Sequence, residues 1–228
     1  MKKVGRIIIL VAVIVLLFVV IITSTTTKPS VADQIWDEQT TMGNKEAKNY
    51  YVLYTDMMCP YCAVLAQTII HNEDKFEQYL ADNDVLWEVR LTDYLYEGSG
   101  VAASRPAAEA AYCAKNEGKF WDFYHVAMEQ MYQDYQSKGI GISKTSPQIK
   151  NVPDDYWKKI GEKVGLGEKF VNCMSNHDTV AEIQANTQKA AQVTEGIPYI
   201  YYNGKAGMID GTNGWDTLKA YLDSGLKR

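Results

Sequence analysis

Histidine is scarce in this 228-residue chain. His71, His125 and His177 stand far apart with no spaced partner, so a core or surface position is the expectation for each. Positive charge is also in deficit, with 23 Lys and Arg against 28 Asp and Glu. Three of the basic residues, Lys2, Lys3 and Arg6, precede an apolar N-terminal run. The rest of the chain therefore holds 20 basic residues (23 less those three) against all 28 acidic ones, a balance near −8. That balance argues against nucleic acid or an anionic lipid surface as a partner. The chain has no internal repeat, no low-complexity tract and no evident dimerisation segment. Cysteine is limited to four residues, an even count.

What the sequence does have begins with an unbroken apolar run from Ile7 to Ile22. It is longer than a usual signal-peptide core and close to the roughly 20 residues that span a bilayer. Thr23-Ser24-Thr25-Thr26-Thr27 follows, without a small-x-small cleavage site or a cysteine placed for lipid attachment. Residues 1–24 read as an uncleaved signal anchor, a single transmembrane helix, with a cleaved signal peptide as the alternative. Basic residues before the run place the N-terminus in the cytoplasm and the remainder outside the cell membrane. Disulfides form and persist there, which changes the meaning of the four cysteines. Residues 25–48 read as a linker with a short helix around Val31 to Gln39. About 180 residues remain, enough for one domain with a sizeable core.

In that domain Cys59-Pro60-Tyr61-Cys62 lies between a strand-like run, Tyr50 to Thr55, and a helix-like run, Ala63 to Ile70. A helix start offers unpaired N–H groups and partial positive charge, which favour a thiolate over a thiol. Pro60 suits the first helical position. Cys62 then lies about one turn along, close enough to Cys59 for a disulfide. The helical pattern resumes through Phe76 and Leu80 after a bend near His71-Asn72. Val85 to Leu91 alternates as a strand with Val85, Trp87, Val89 and Leu91 on one face. Strand, helix and strand predict a parallel pair with a right-handed crossover and ligand chemistry at the carboxyl end of the first strand. The middle is helical: Ser104 as N-cap of a helix to Asn116, Phe120 to Tyr132, a loop from Gly139 to Pro153, then a helix capped by Asp154 or Asp155. Shorter helices follow over Glu168 to Met174 and Thr179 to Gln192. The aromatic cluster Phe120 to Tyr124 reads as core. Sheet returns with Tyr199 to Tyr202, an Asn203-Gly204 turn and Gly207 to Asp210, before a last helix capped by Thr212 or Asn213. This is an α/β domain split by a helical block at about 101–178.

Four landmarks carry a family resemblance: Asp56-Met57-Met58-Cys59-Pro60-Tyr61-Cys62, Ala110-Ala111-Tyr112-Cys113-Ala114 leading to Gly118-Lys119-Phe120-Trp121, Phe170-Val171-Asn172-Cys173-Met174, and Gly196-Ile197-Pro198 before Asn203-Gly204. With these, residues 49–228 resemble the DsbA-like thiol oxidoreductases of the thioredoxin superfamily. The resemblance implies a thioredoxin fold with an inserted helical subdomain. It makes Cys59 the attacking thiolate, Cys62 the resolving thiol, and Pro198 a cis-proline beside them. Pro60 and Tyr61 tune the pair, and Ile197 offers its backbone to an extended substrate. Cys113 and Cys173 become a structural disulfide, with unpaired thiols, an electron relay or a shared zinc site as the other readings. The implied activity introduces disulfides into exported, unfolded or partly folded proteins, with a quinone-linked membrane oxidase as re-oxidising partner. A reductase or isomerase on the same fold is the rival, and a disulfide-stapled binding domain the non-enzymatic one. No cofactor or metal is called for. Two departures stand out. Tyr61 occupies a position that is histidine in the best-known oxidases of the family. Leu53 occupies one where many relatives carry a buried acid, which leaves Asp56 and water as candidates for the Cys62 proton route.

Overall fold

The computed structural model describes residues 37–143, 145–147, 149, 151–203, 205–208 and 214–226. The apolar run Ile7 to Ile22, residues 31–36 of the helix expected around Val31 to Gln39, and the caps Thr212 and Asn213 lie outside the described residues; the described end of that expected helix is a 3₁₀ turn, Glu38–Thr40. Among the described residues no helix is long and apolar enough to cross a membrane.

The centre is β2 (Asn49–Thr55), every residue of which beyond Asn49 is buried. Such a run, apolar and aromatic on both faces, belongs inside a sheet covered on both sides. It pairs parallel with β3 (Val85–Leu91), Tyr51 opposite Trp87 and Leu53 opposite Val89. On its other side β4 (Tyr199–Tyr202) runs antiparallel, Leu53 opposite Ile200. β5 (Lys205–Met208) closes that edge as the second arm of a hairpin. The opposite edge is β1 (Thr41–Gly43), antiparallel to β3, giving the order β1-β3-β2-β4-β5.

β1 departs from the reading of 25–48 as a linker with a short helix around Val31 to Gln39. Asp37 accepts from the Gln39 N–H to start a 3₁₀ turn, Glu38–Thr40, and the chain then pairs with β3. Three residues are too few to show alternation, and cross-strand hydrogen bonds make them a strand. Gly43 is required there: its φ is +97°, and a Cβ would collide with the Val85 carbonyl oxygen.

Two helices connect β2 to β3, α1 (Pro60–Ile70) and α2 (Glu73–Asp82), separated at the expected bend. Between β3 and β4 the described chain is helical: α3 (Tyr94–Ser99), α4 (Ser104–Lys115), α5 (Phe120–Asp134), α6 (Asp154–Lys163), α7 (Glu168–Asn176) and α8 (Val180–Val193). The last helix is α9 (Gly214–Leu226). Trp87 on β3 meets Phe76 of α2 edge to face at 5.3 Å and stacks near Tyr51. Phe120 stacks on Tyr124 at 5.6 Å and Phe123 packs on Phe170, so this aromatic cluster is core.

β3 departs from its alternating pattern, for all seven of its residues are buried. Glu88 and Arg90, on the face that alternation assigns to solvent, instead neutralise each other at 2.8 Å. Arg90 also donates to the hydroxyls of Tyr50 and Tyr54 at 2.8 and 3.0 Å. Buried charge is tolerated only when paired and hydrogen-bonded in this way.

Candidate active site

β2 ends at Thr55 and the chain turns through Asp56-Met57-Met58 into α1. The turn is built around the buried Asp56 carboxylate. One oxygen accepts from the Met58 N–H at 2.8 Å, the other from the Leu95 N–H at 2.9 Å and the Ser104 hydroxyl at 2.5 Å. The Asp56 carbonyl accepts from the Cys59 N–H at 3.0 Å. Asp56 thus joins three segments, the turn itself and the first turns of α3 and α4. Ser104 therefore does not cap its own helix as expected; it is the first helical residue, and its hydroxyl serves Asp56 instead. Burial raises the Asp56 pKa to about 6, against the lowering effect of its three donors.

Cys59 occupies the N-cap position of α1 with extended backbone, and Pro60 follows inside the helix. Its side chain makes no capping bond, so the sulfur is left at the helix start where N–H groups converge. Both cysteines are buried and both thiols are free. Their acidities diverge. The Cys62 thiol hydrogen-bonded to Cys59 lowers the Cys59 pKa, and the N–H groups of Cys62 and Tyr61 add to this against burial and the Asp56 charge. Burial first, then the adjoining Cys59, pushes Cys62 well up. One sulfur is therefore poised as nucleophile or leaving group while the other is held as a thiol at neutral pH.

β4 supplies the opposing wall. It pairs with β2 up to Tyr54 opposite Tyr199, which brings the preceding Ile197-Pro198 back toward the cysteines. The Cys59 sulfur lies 3.7 Å from the Ile197 carbonyl oxygen, and the Ile197–Pro198 peptide bond is cis. Ile197 and the two cysteines form a small apolar cluster, flanked by Tyr94 and Leu95 of α3. Tyr61 stands out from it, 50% exposed.

The residues singled out in the sequence thus divide into two groups. Cys59, Pro60, Tyr61, Cys62, Ile197 and Pro198 converge at the junction of β2, α1 and β4. Cys113 of α4 and Cys173 of α7 are joined to each other, with S–S 1.98 Å and Cα–Cα 5.7 Å. That bond removes the reading in which all four cysteines share one zinc ion. Leu53 is buried in the core, so no carboxylate occupies that place in β2. His71, His125 and His177 stay outside the site, each beside a glutamate: Glu129, Glu73 and Glu109 respectively. Sequence reasoning missed Tyr94 and Leu95, whose only sequence signal is a six-residue helix, too short for a periodic pattern, and it gave Ser104 a capping role in place of its bond to Asp56.

Comparison with known proteins bears on the fold and family. A family model described as Thioredoxin matches residues 36–224. A search of curated proteins finds no match. Among solved structures, the chain is similar to a thioredoxin-like oxidoreductase from Silicibacter pomeroyi DSS-3. Identity is 20% and the TM-score 0.58, over 89% of this chain and 99% of that one. It is also similar to oxidised BdbD from Bacillus subtilis at 20% identity and TM-score 0.58, over 83% and 94%. A third is the MdbA thiol-disulfide oxidoreductase from Corynebacterium diphtheriae, at 14% identity and TM-score 0.59, over 82% and 90%. A two-cysteine helix start facing a cis-proline across a mixed five-stranded sheet, and a family match over most of the chain, place this protein in the thioredoxin family.

Proposed function

We propose that the protein is a membrane-anchored, extracytoplasmic thiol–disulfide oxidoreductase that introduces disulfides into exported proteins through Cys59 and Cys62. The observation that carries this reading is the pair of buried free thiols at one helix start, the first of them 3.7 Å from the Ile197 carbonyl that precedes a cis-proline; the divergent acidities of the two thiols support it. In the oxidised protein a substrate thiolate attacks the Cys59 sulfur. The Cys59–Cys62 bond breaks, its electron pair goes to Cys62, and Cys62 takes up a proton. A second substrate thiol, as its thiolate, attacks the substrate sulfur of the mixed disulfide. Cys59 leaves as a stabilised thiolate and the substrate keeps the new disulfide. An extended substrate segment pairs with the backbone at Ile197, which holds its cysteine over Cys59. Tyr61 is the exposed aromatic contact, Pro60 starts the helix, and Cys113–Cys173 clamps α4 to α7. Residues 1–24 supply the membrane anchor, and a quinone-linked membrane oxidase restores the disulfide.

The test is equilibration with glutathione together with refolding of a reduced, unfolded substrate protein. An oxidase gives a high reduction potential and forms substrate disulfides stoichiometrically, and Cys59→Ser abolishes both exchange and product. A potential as low as that of a cytosolic thioredoxin reverses the direction of electron flow. Failure of the cysteines to exchange with glutathione at all leaves only a binding role.

A further inference from the structure

Leu53 is buried in the core and gives β2 no polar group there, and Asp56 is already committed to three donors. The next residue on the same face of β2, two positions on from Leu53, is Thr55. It is 1% exposed, and among the described residues its hydroxyl completes no hydrogen bond. A buried hydroxyl without a partner is costly, so its presence needs a reason. The hydroxyl lies close enough to both Cys62 and Tyr124 of α5 to act on the acidity of each. Burial first, and then charge on Cys62, raises the Tyr124 pKa, so the phenol of α5 lies within electrostatic range of the same sulfur. In the dithiol the Cys62 sulfur is a weak acceptor and the donor goes unused. When Cys62 carries an electron pair, a strong acceptor appears beside it.

We propose that the Thr55 hydroxyl donates a hydrogen bond to the Cys62 thiolate formed during exchange, with Tyr124 nearby. This rests on the thiol-exchange reading above. As a thiolate attacks Cys59 and the Cys59–Cys62 bond breaks, the electron pair arriving on Cys62 is met by the Thr55 O–H. The proton that then neutralises Cys62 comes from solvent, and in the reverse step, where Cys62 attacks, it returns there. The same bond assists both directions, because both pass through one transition state. The groups facing Cys62 are Cys59 from its own helix, Asp56 from the turn after β2, Thr55 from β2 and Tyr124 from α5. Asp56 donates only its backbone N–H.

The experiment measures reduction of the oxidised full-length protein by glutathione, together with urea stability and thiolate absorbance against pH in a Cys59→Ala background. Thr55→Val removes the hydroxyl at constant shape. It is expected to slow reduction by about tenfold or more, the effect of a hydrogen bond to a charged group. The Cys62 titration moves to higher pH, and stability stays equal or rises because an unpartnered buried hydroxyl is gone. Thr55→Ser restores the rate, and Tyr124→Phe shows a smaller slowing. An unchanged rate and Cys62 titration in Thr55→Val, or slowing matched by lost stability, overturns the proposal. Should Thr55→Val fail to fold, Thr55→Ser against Thr55→Ala decides on the same readouts. Wild type that does not exchange with glutathione overturns the functional reading itself, which separates the two failures.

Discussion

The Cys59 sulfur sits 3.7 Å from the carbonyl oxygen of Ile197, 138 residues further along the chain. The contact comes from sheet register. β4 pairs antiparallel to β2 as far as Tyr54 and Tyr199, so the segment entering β4 returns to the segment leaving β2. One strand pairing therefore brings the Cys59 sulfur and the Ile197 carbonyl together from distant parts of the chain.

Tyr61 bears on the redox poise. It is half exposed, and its side chain brings no cationic group to the Cys59 thiolate, which Cys62 and the helix N–H groups, that of Tyr61 included, stabilise. Tyr61→His is expected to raise the reduction potential by about 30 mV for each unit by which the Cys59 pKa falls. Glutathione equilibration checks it, and an unchanged or lower potential counts against this role.

Asp56 gives a pH dependence with an uncommon sign. Its folded-state pKa is raised to about 6 from an ordinary 3.8, so between those values the folded protein binds the proton more tightly than the unfolded chain. Its burial therefore costs stability at neutral pH, and that cost is relieved as pH falls from about 6 to about 4. Acidifying across this window should raise the stability of wild type relative to Asp56→Asn by about 3 kcal/mol, read from urea unfolding at each pH. A flat difference would mean an unshifted carboxylate, and one of opposite sign a carboxylate held ionised by its donors.

The second disulfide closes a loop with a sequence separation of 60. In the chain-entropy account this contributes about 4 kcal/mol. The double variant Cys113→Ala, Cys173→Ala should melt about 10 °C lower, while Cys59 keeps its alkylation profile. Loss of Cys59 reactivity along with stability would tie this bond to the chemistry instead.

Much of this was legible in local pattern. A C-x-x-C between a buried strand and a proline-led helix, and a hairpin signal at Asn203, each depend on a few adjacent residues. The misses are places where partners distant in sequence decide. Thr41 to Gly43 is a strand only because β3 accepts it. Glu88 and Arg90 are hidden because they meet each other and two tyrosines on β2. Ser104 looks like a cap until Asp56, 48 residues earlier, claims its hydroxyl. Thr55 carries no signal beyond its place on the Leu53 face, since a single threonine at a strand end is ordinary.

The most direct measurement is the pH dependence of iodoacetamide alkylation of the reduced protein, with the modified sulfur identified by mass. Cys59 should react first, with a midpoint clearly below that of a free cysteine near 8.5, while Cys62 stays unmodified into alkaline pH. A Cys59 midpoint at the ordinary value, or preferential modification of Cys62, would contradict the assignment of the two thiols.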